Sequence, residues 1–194
     1  MKPLAQLSWQ LPDPTALQEQ ADALKEKYSV QNTPAQTTSL RFYDSFDWRL
    51  YSDNLLCFEQ GNKLYLTDLA GRELTPCLPL VGQEIGFPQN LPSSSLRQKV
   101  APVLEMRTLL LQSSFMQTSQ QICVLNKDEK TVARITLSEL HRETTRNEHP
   151  ICSIQLHQVR GYDKWFQRLE QDLKKLGTAQ PCTKEQDLKN ALAM

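Results

Sequence analysis

The sequence has 194 residues, with 22 Lys+Arg against 22 Asp+Glu, 39% apolar and 7% aromatic residues. These values fit one soluble globular domain, able to bury about 70% of its unfolded surface without a metal or disulfide to hold a core. The formal net charge of zero removes the long-range positive field needed for nonspecific binding to a phosphate backbone, so nucleic acid is not an expected partner.

From the N-terminus, Leu7, Trp9 and Leu11 alternate with Gln6, Ser8 and Gln10, the period of a half-buried strand. Asp13 before Pro14 is a helix cap followed by the favoured first-turn proline, and Leu17, Ala21, Leu24 and Tyr28 continue at helical spacing over 14–28. Residues 29–37 read as a polar connector. Strand alternation returns at Thr38, with Leu40 and Phe42 opposite Arg41 and Tyr43, and further strands are predicted near 54–60, 62–69, 72–78, 104–118, 120–126, 130–138 and 150–160. Gln60-Gly61-Asn62, Ala70-Gly71-Arg72 and Asn126 to Lys130 are hairpin connections. Residues 79–92 form a Pro- and Gly-bearing surface excursion, and 93–101 a short helix. The closing helix carries an apolar stripe at Tyr162, Trp165, Phe166, Leu169, Leu173 and Leu176, with Gly177 at its C-terminal cap. The stripe is expected to pack on the sheet, leaving 177–194 as a polar tail or linker beyond a domain spanning 1–176.

Many short strands linked by hairpins, with about three helices, predict an antiparallel α+β fold. The long amide and basic side chains on several strand faces suit a wet interior, which favours an eight-stranded or near-eight-stranded closed barrel over a sandwich. The five cysteines form no CxxC pair and are odd in number, which suits a reducing compartment. The N-terminal apolar stretch is interrupted by glutamine, unlike a signal peptide, and no later run approaches ~18 apolar residues, so a cytoplasmic protein with no membrane span is expected.

Enzyme signatures are missing: with six glycines there is no phosphate-cradling loop, and neither GxSxG nor HExxH occurs. His141, His149 and His157 are spaced by eight and read as ordinary loop and strand residues. The run FYDSFDWRLY at 42–51 reads structurally, with Asp44 capping the turn 45–48, Asp47 in that turn, and Phe46, Trp48, Leu50 and Tyr51 anchoring it in the core. A metal role for Asp44 and Asp47 would need partners that the neighbouring sequence does not offer.

That run, with LYLTDLAG at 64–71, EKTVARITL at 129–137 and VRGYDKWF at 159–166, resembles the CYTH-like domain that precedes a CHAD domain in many bacterial proteins. CYTH domains belong to the triphosphate tunnel metalloenzymes, so the resemblance implies an eight-stranded antiparallel barrel open at both ends. Active members carry ExExK on the first strand, where carboxylates help to hold divalent cations and the lysine meets phosphate; here Gln6, Ser8 and Gln10 align with those places. The LRxR-like stretch corresponds to Leu56-Cys57-Phe58-Glu59 and the TxK-like strand to Thr67-Asp68-Leu69. The late ExE strand becomes Ser153-Ile154-Gln155 or Gln155-Leu156-His157. Mg²⁺ favours anionic oxygen ligands, and phosphoryl transfer relies on metal and positioned cations, so the losses imply a degenerate, noncatalytic member without a cofactor.

Basic residues remain. Arg41 is selected by strand alternation alone, whereas Arg107, Lys130 and Arg134 coincide with basic positions common in the CHAD-associated subgroup. Lys130 and Arg134, four apart, are expected on one strand face. The resemblance adds Gln6, Gln10 and Gln155 to these as an anion-binding set; the competing reading is a solvated outer face, or arginines paired with Glu59 and Glu105. The leading function is a module that binds a phosphate-rich anion, polyphosphate among them, or acts with a CHAD partner. One alternative is a triphosphatase using divalent metal and a rearranged site drawn from Asp44, Asp47, Glu59, Asp68 or Glu105. Another is a structural interaction domain whose barrel is plugged by its own side chains.

Overall fold

A computed structural model describes residues 4–69, 72–80, 85–143, 150–175 and 180–182. Its elements are β1 (Gln6–Leu11), α1 (Pro14–Lys27), β2 (Val30–Asn32), β3 (Gln36–Asp44), α2 (Arg49–Ser52), β4 (Leu55–Gln60), β5 (Lys63–Asp68) and β6 (Leu78–Pro79). A short 3-10 turn at Pro88–Asn90 leads to α3 (Ser95–Leu104), β7 (Leu110–Leu125), β8 (Thr131–Arg142), β9 (Ile151–Gln158), α4 (Asp163–Lys175) and β10 (Gln180–Cys182). The chain divides into two compact units, one built from the described parts of 1–37, 117–141 and 147–191, the other chiefly from 38–116.

In the first unit the strands run β10-β1-β9-β8-β7, and β2 adds to β7 through Val30↔Val124 and Asn32↔Ile122. Asp13 caps α1 by accepting from the Ala16 amide at 2.8 Å, and Pro14 opens the helix, as expected from the sequence. One face of this sheet carries Trp9, Leu11, Ile135, Leu137, Cys152, Ile154 and Leu156, packed with Leu17, Ala21 and Leu24 of α1 and Phe166, Leu169 and Leu173 of α4. Alternation alone puts those strand residues on one side, and helical spacing supplies matching stripes, so the core follows from two periods meeting. At the end of α1 the Tyr28 hydroxyl donates to Asp172 of α4, whose carboxylate also lies 2.7 Å from the Lys27 ammonium. Burial, and then the Asp172 carboxylate, push the Tyr28 hydroxyl up to about 12.

The second unit runs β7-β3-β4-β5-β6 through the N-terminal part of β7. Gln60 pairs with Lys63 across a two-residue turn in which Gly61 and Asn62 both take positive φ, 57° and 59°. Those angles are the ones a tight hairpin of right-handed twist requires, and Gly and Asn are the residues that adopt them. Leu50, Cys57, Leu64, Leu66 and Leu109 of this unit meet Leu96, Val100 and Leu104 of α3, whose cap Ser94 accepts from the Arg97 amide at 3.2 Å.

The ladders β1–β10, β1–β9, β2–β7, β3–β4, β4–β5, β5–β6 and β8–β9 are antiparallel, and helices accompany the sheet, so the class is α+β. Among the described residues no ladder closes the sheet on itself. Several boundaries differ from expectation. The strands predicted at 104–118 and 120–126 are one continuous β7 of 16 residues, which contains no Gly or Pro to break it, while 104 ends α3. The strand expected at 72–78 reduces to an isolated Thr67↔Glu73 bridge and the two-residue β6. The polar connector 29–37 contains β2, and residues 180–182 of the expected tail pair with Ser8 to Gln10 of β1. Ala70 and Gly71, His149, and Leu176 with Gly177 lie outside the described residues. Among the described residues no helix is long and apolar enough to cross a membrane.

Within the closing helix the stripe packs as expected, but Trp165 is half-buried, in edge contact with Tyr28 and under the Arg168 guanidinium, whereas Leu169 is fully buried. Leu169→Ala is therefore expected to cost about 2–5 kcal/mol in urea denaturation, and Trp165→Ala less than that. The reverse order would show that α4 is held by its edge rather than by its buried stripe.

Candidate anion-binding face

The core face of β1, β9 and β8 dictates what stands on the other. Cross-strand registers align Gln6 with His157 and His157 with Arg134; Ser8 with Gln155 and Gln155 with Thr136; Gln10 with Ser153 and Ser153 with Ser138. Directly opposed residues in antiparallel pairs share a face, so these nine form three polar rows on the side away from α1 and α4. Each row contains one residue from each strand, and not one of the nine is a carboxylate. Burial deepens across the rows: Gln6 and Arg134 are exposed, His157 and Gln155 half-buried, and Ser153 and Ser138 are 8% and 5% exposed.

Side-chain bonds tie the rows together. The Gln6 amide donates to Gln155 Oε1 at 3.2 Å, and Thr136 Oγ1 lies 3.3 Å from His157 Nε2. Ser8, Gln10 and His157 make further interactions of their own. Arg134 supplies the permanent positive charge of the nine and, among the described residues, no ion pair to it is found. Amides, hydroxyls and one guanidinium make a set of donors without competing negative charge, which suits phosphate-type oxygens.

Of the sequence-predicted residues, this face unites Gln6, Gln10, Gln155 and Arg134. The other three stand elsewhere. Lys130 is not on β8 beside Arg134 but closes the β7–β8 hairpin, where its amide donates to Asn126 Oδ1 at 2.9 Å. Arg107 belongs to the segment between α3 and β7 rather than to a strand, with Nε 2.8 Å from Asp47 and Nη1 3.5 Å from Glu105. The Asp47 contact is an ion pair whose N–H points off the oxygen, since Arg107 Nε makes no aligned hydrogen bond. Arg41 does face away from Leu40 and Phe42, but this puts it beside Tyr43 and Glu59 on the α3-covered side of the second unit, 3.7 Å from Glu59. The reading of Arg41 and Arg107 as paired with carboxylates holds for both. Alternation could have added Thr136, Ser138, Ser153 and His157, since 134, 136 and 138 and 153, 155 and 157 are polar at every second position.

The opposite face in the second unit is aromatic. Phe42, Phe58 and Tyr65 are aligned across β3, β4 and β5, with ring centroids 5.8 and 5.3 Å apart, and Phe115 stands edge-on to Phe42 at 5.9 Å. Rings therefore occupy the middle of this face, with Gln60 and Lys63 towards its end, where the first unit carries its polar rows.

The acids proposed for a rearranged metal site are committed to other partners. Asp44, 4% exposed, accepts from the amides of Ser45, Leu50 and Tyr51 at 2.7, 2.9 and 2.9 Å, which makes it the cap of α2. Ser45 Oγ adds an acceptor for the Arg49 amide at 3.1 Å. Of the structural reading of FYDSFDWRLY, Leu50 is in the core and Asp44 caps, though chiefly the amides of α2 rather than the turn 45–48; Trp48 and Tyr51 are half-buried in edge contact with one another, and Phe46 is 70% exposed under the Arg107 guanidinium instead of anchored in the core. Glu59 accepts from the Tyr43 hydroxyl at 3.0 Å, Asp68 binds Arg72, and Glu105 lies 2.8 Å from Arg49. Among the described residues no group of three or more His, Cys, Asp or Glu is arranged to hold a metal ion. The donor set of the polar face does not fit a divalent cation either, because neutral amides and hydroxyls cannot replace carboxylate charge.

No protein-family model matches this chain, and no curated protein matches it. Solved structures do. A Hippeastrum protein provisionally named an adenylyl cyclase, with a dominant triphosphatase activity, superimposes at a TM-score of 0.57 with 16% identity, over 91% of this chain and 89% of its own. A Bacillus halodurans protein provisionally named an adenylate cyclase gives 0.57 with 10% identity, over 90% of each chain. The likeness is one of fold.

Asp44→Ala would leave buried amides without an acceptor, at about 1–3 kcal/mol for each unsatisfied group, so a loss of at least ~3 kcal/mol is expected. Urea denaturation should show a lower midpoint at an unchanged slope. An unchanged midpoint would mean that α2 does not depend on this cap.

Proposed function

We propose that this protein is a noncatalytic binding module that takes a phosphate-rich anion, such as tripolyphosphate or polyphosphate, on the polar face of β1, β9 and β8. The observation that carries the reading is the composition of that face: three rows of amide, hydroxyl, imidazole and guanidinium groups with no carboxylate among them. The fold is shared with a protein of dominant triphosphatase activity, which supports a triphosphate-like ligand. A ligand of several linked phosphates could contact successive rows, since residues two apart on a strand are about 6.6–6.8 Å apart. Arg134 would carry the charge interaction at the exposed end, and Gln155 and the serines would donate further in.

The same proposal includes a CHAD-type partner and a bacterial cytoplasm, on the strength of the sequence phrases. Cys57, Cys77, Cys123 and Cys152 are free, and burial pushes the Cys57 and Cys152 thiols up to about 12, which suits inert thiols in a reducing compartment. The triphosphatase alternative has the activity of the Hippeastrum protein in its favour. Against it stands the commitment of Asp44, Asp47, Glu59, Asp68 and Glu105 to caps and ion pairs. The plugged-barrel alternative draws on the aromatic face of the second unit, with Phe42 and Phe115 buried.

Tripolyphosphate at about 100 times its dissociation constant should stabilise the fold by about 2.7 kcal/mol, a rise in thermal midpoint of roughly 5–10 °C. Salt should reduce the shift, and Arg134→Gln should reduce it without lowering the ligand-free midpoint. No shift at millimolar anion and low salt would overturn the reading in favour of the plugged barrel. Orthophosphate release with Mg²⁺ or Mn²⁺ should stay at background; turnover near an ordinary enzyme's ~10 s⁻¹ would establish the triphosphatase alternative instead.

A further inference from the structure

We infer that the polar face takes its anion free of divalent metal, so that Mg²⁺ competes with the protein for the ligand instead of bridging the two. The inference rests on the anion-binding reading above and deepens it, because it names the form of the anion that the face accepts. A magnesium ion shared between a protein and a phosphate chain keeps several waters, and the protein holds it through one or two carboxylates. On the polar side of β1, β9 and β8, positions 6, 8 and 10, 153, 155 and 157, and 134, 136 and 138 supply none. The acids nearest to them in sequence stand elsewhere. Glu139 is opposite Cys152, on the other side of β8 from Ser138, and lies 3.4 Å from His141 Nε2. Asp163 accepts from Gln158, which alternates with His157 and so points to the side of Ile154 and Leu156.

What the face offers instead is donors. The Arg134 guanidinium and the carboxamides of Gln6 and Gln155 seek the same phosphate oxygens that Mg²⁺ chelates. The Gln155 Oε1 atom, the one a cation would need from that side chain, already accepts from the Gln6 amide at 3.2 Å. A hydrated dication in the row of Arg134 would meet a permanent like charge, and among the described residues no carboxylate is paired with that guanidinium to offset it. His157 brings an imidazole, a ligand for transition metals rather than for Mg²⁺. Chelation also lowers the charge of the anion by two, which weakens its attraction to Arg134. Metal and protein therefore exclude one another on the anion, and their linkage is negative.

The test is calorimetric titration of tripolyphosphate into the full chain at one pH and one ionic strength. One solution holds no divalent metal, and the other holds free Mg²⁺ at ten times its dissociation constant for the anion, with NaCl making up the ionic strength of the first. When only the free anion binds, mass action raises the apparent dissociation constant about elevenfold in the second solution. Without metal, Arg134→Gln should bind more weakly than the wild type. An unchanged or lower dissociation constant with Mg²⁺, or binding only in its presence, would overturn the inference and leave the anion site standing, provided that Arg134→Gln is still weakened. Absence of binding in both solutions, or undiminished binding by Arg134→Gln, would overturn both. Millimolar Mg²⁺ alone should leave the carboxamide resonances of Gln6 and Gln155 in place, and a saturable shift of the two would show a metal held on the face and contradict the inference.

Discussion

The register of β9 between β1 and β8 is the constraint on which both the core and the candidate site depend. With Trp9 opposite Ile154 and Leu137 opposite Ile154 from the other side, all three strands turn their large apolar residues towards α1 and α4. The side-chain period of a strand is two, so a slip of one residue would send Trp9 and Leu11 to the polar side and Gln10 and Ser8 into the core. Burial of Trp9, Leu11, Ile154 and Leu156, each worth about 1.5–3 kcal/mol, specifies the register. The same register lines up Gln6, His157 and Arg134. The site is thus a by-product of core packing on the opposite face, held on strands rather than loops.

The second unit uses its polar residues differently. Asp44 is buried with its oxygens turned to backbone amides, and Arg49 and Arg107 converge on Asp47 and Glu105. These groups hold α2 and the segment before β7 in place. A carboxylate that satisfies three amides, or sits among two guanidiniums, has little capacity left for a metal ion or a phosphate. The face away from α3 is aromatic. Charge in this unit therefore serves structure, while the first unit carries the polar face proposed to take a ligand.

Much of this was legible in the sequence wherever a short-range signal carried the information. Asp13-Pro14 announced α1, Gln60-Gly61-Asn62 the β4–β5 hairpin, and the spacing of Phe166, Leu169 and Leu173 the buried side of α4. Alternation also marked Gln6 and Gln10 as polar strand positions, and the family resemblance pointed to Gln155. The signal failed where partners were distant. β2 is three polar-rich residues that become a strand because β7 offers an edge, and β10 exists because β1 does. Arg41, Arg107 and Arg134 look alike in the sequence, yet two of them meet carboxylates and the third stands opposite His157 in the ladder. His157, eight residues from its nearest histidine, carries no motif; its neighbours come from registers that no local pattern encodes.

The central claim is that the polar face of β1, β9 and β8 is where a phosphate-rich anion binds, and side-chain amide NMR tests it most directly. Tripolyphosphate should shift the carboxamide resonances of Gln6, Gln10 and Gln155 together, saturably and with one dissociation constant. Gln18 on the solvent side of α1 and Gln112 of the second unit, whose amide donates to the Asp44 and Ser45 carbonyls, should not move. Shifts confined to residues off this face, or unchanged Gln6, Gln10 and Gln155 resonances when the anion demonstrably binds, would contradict the account.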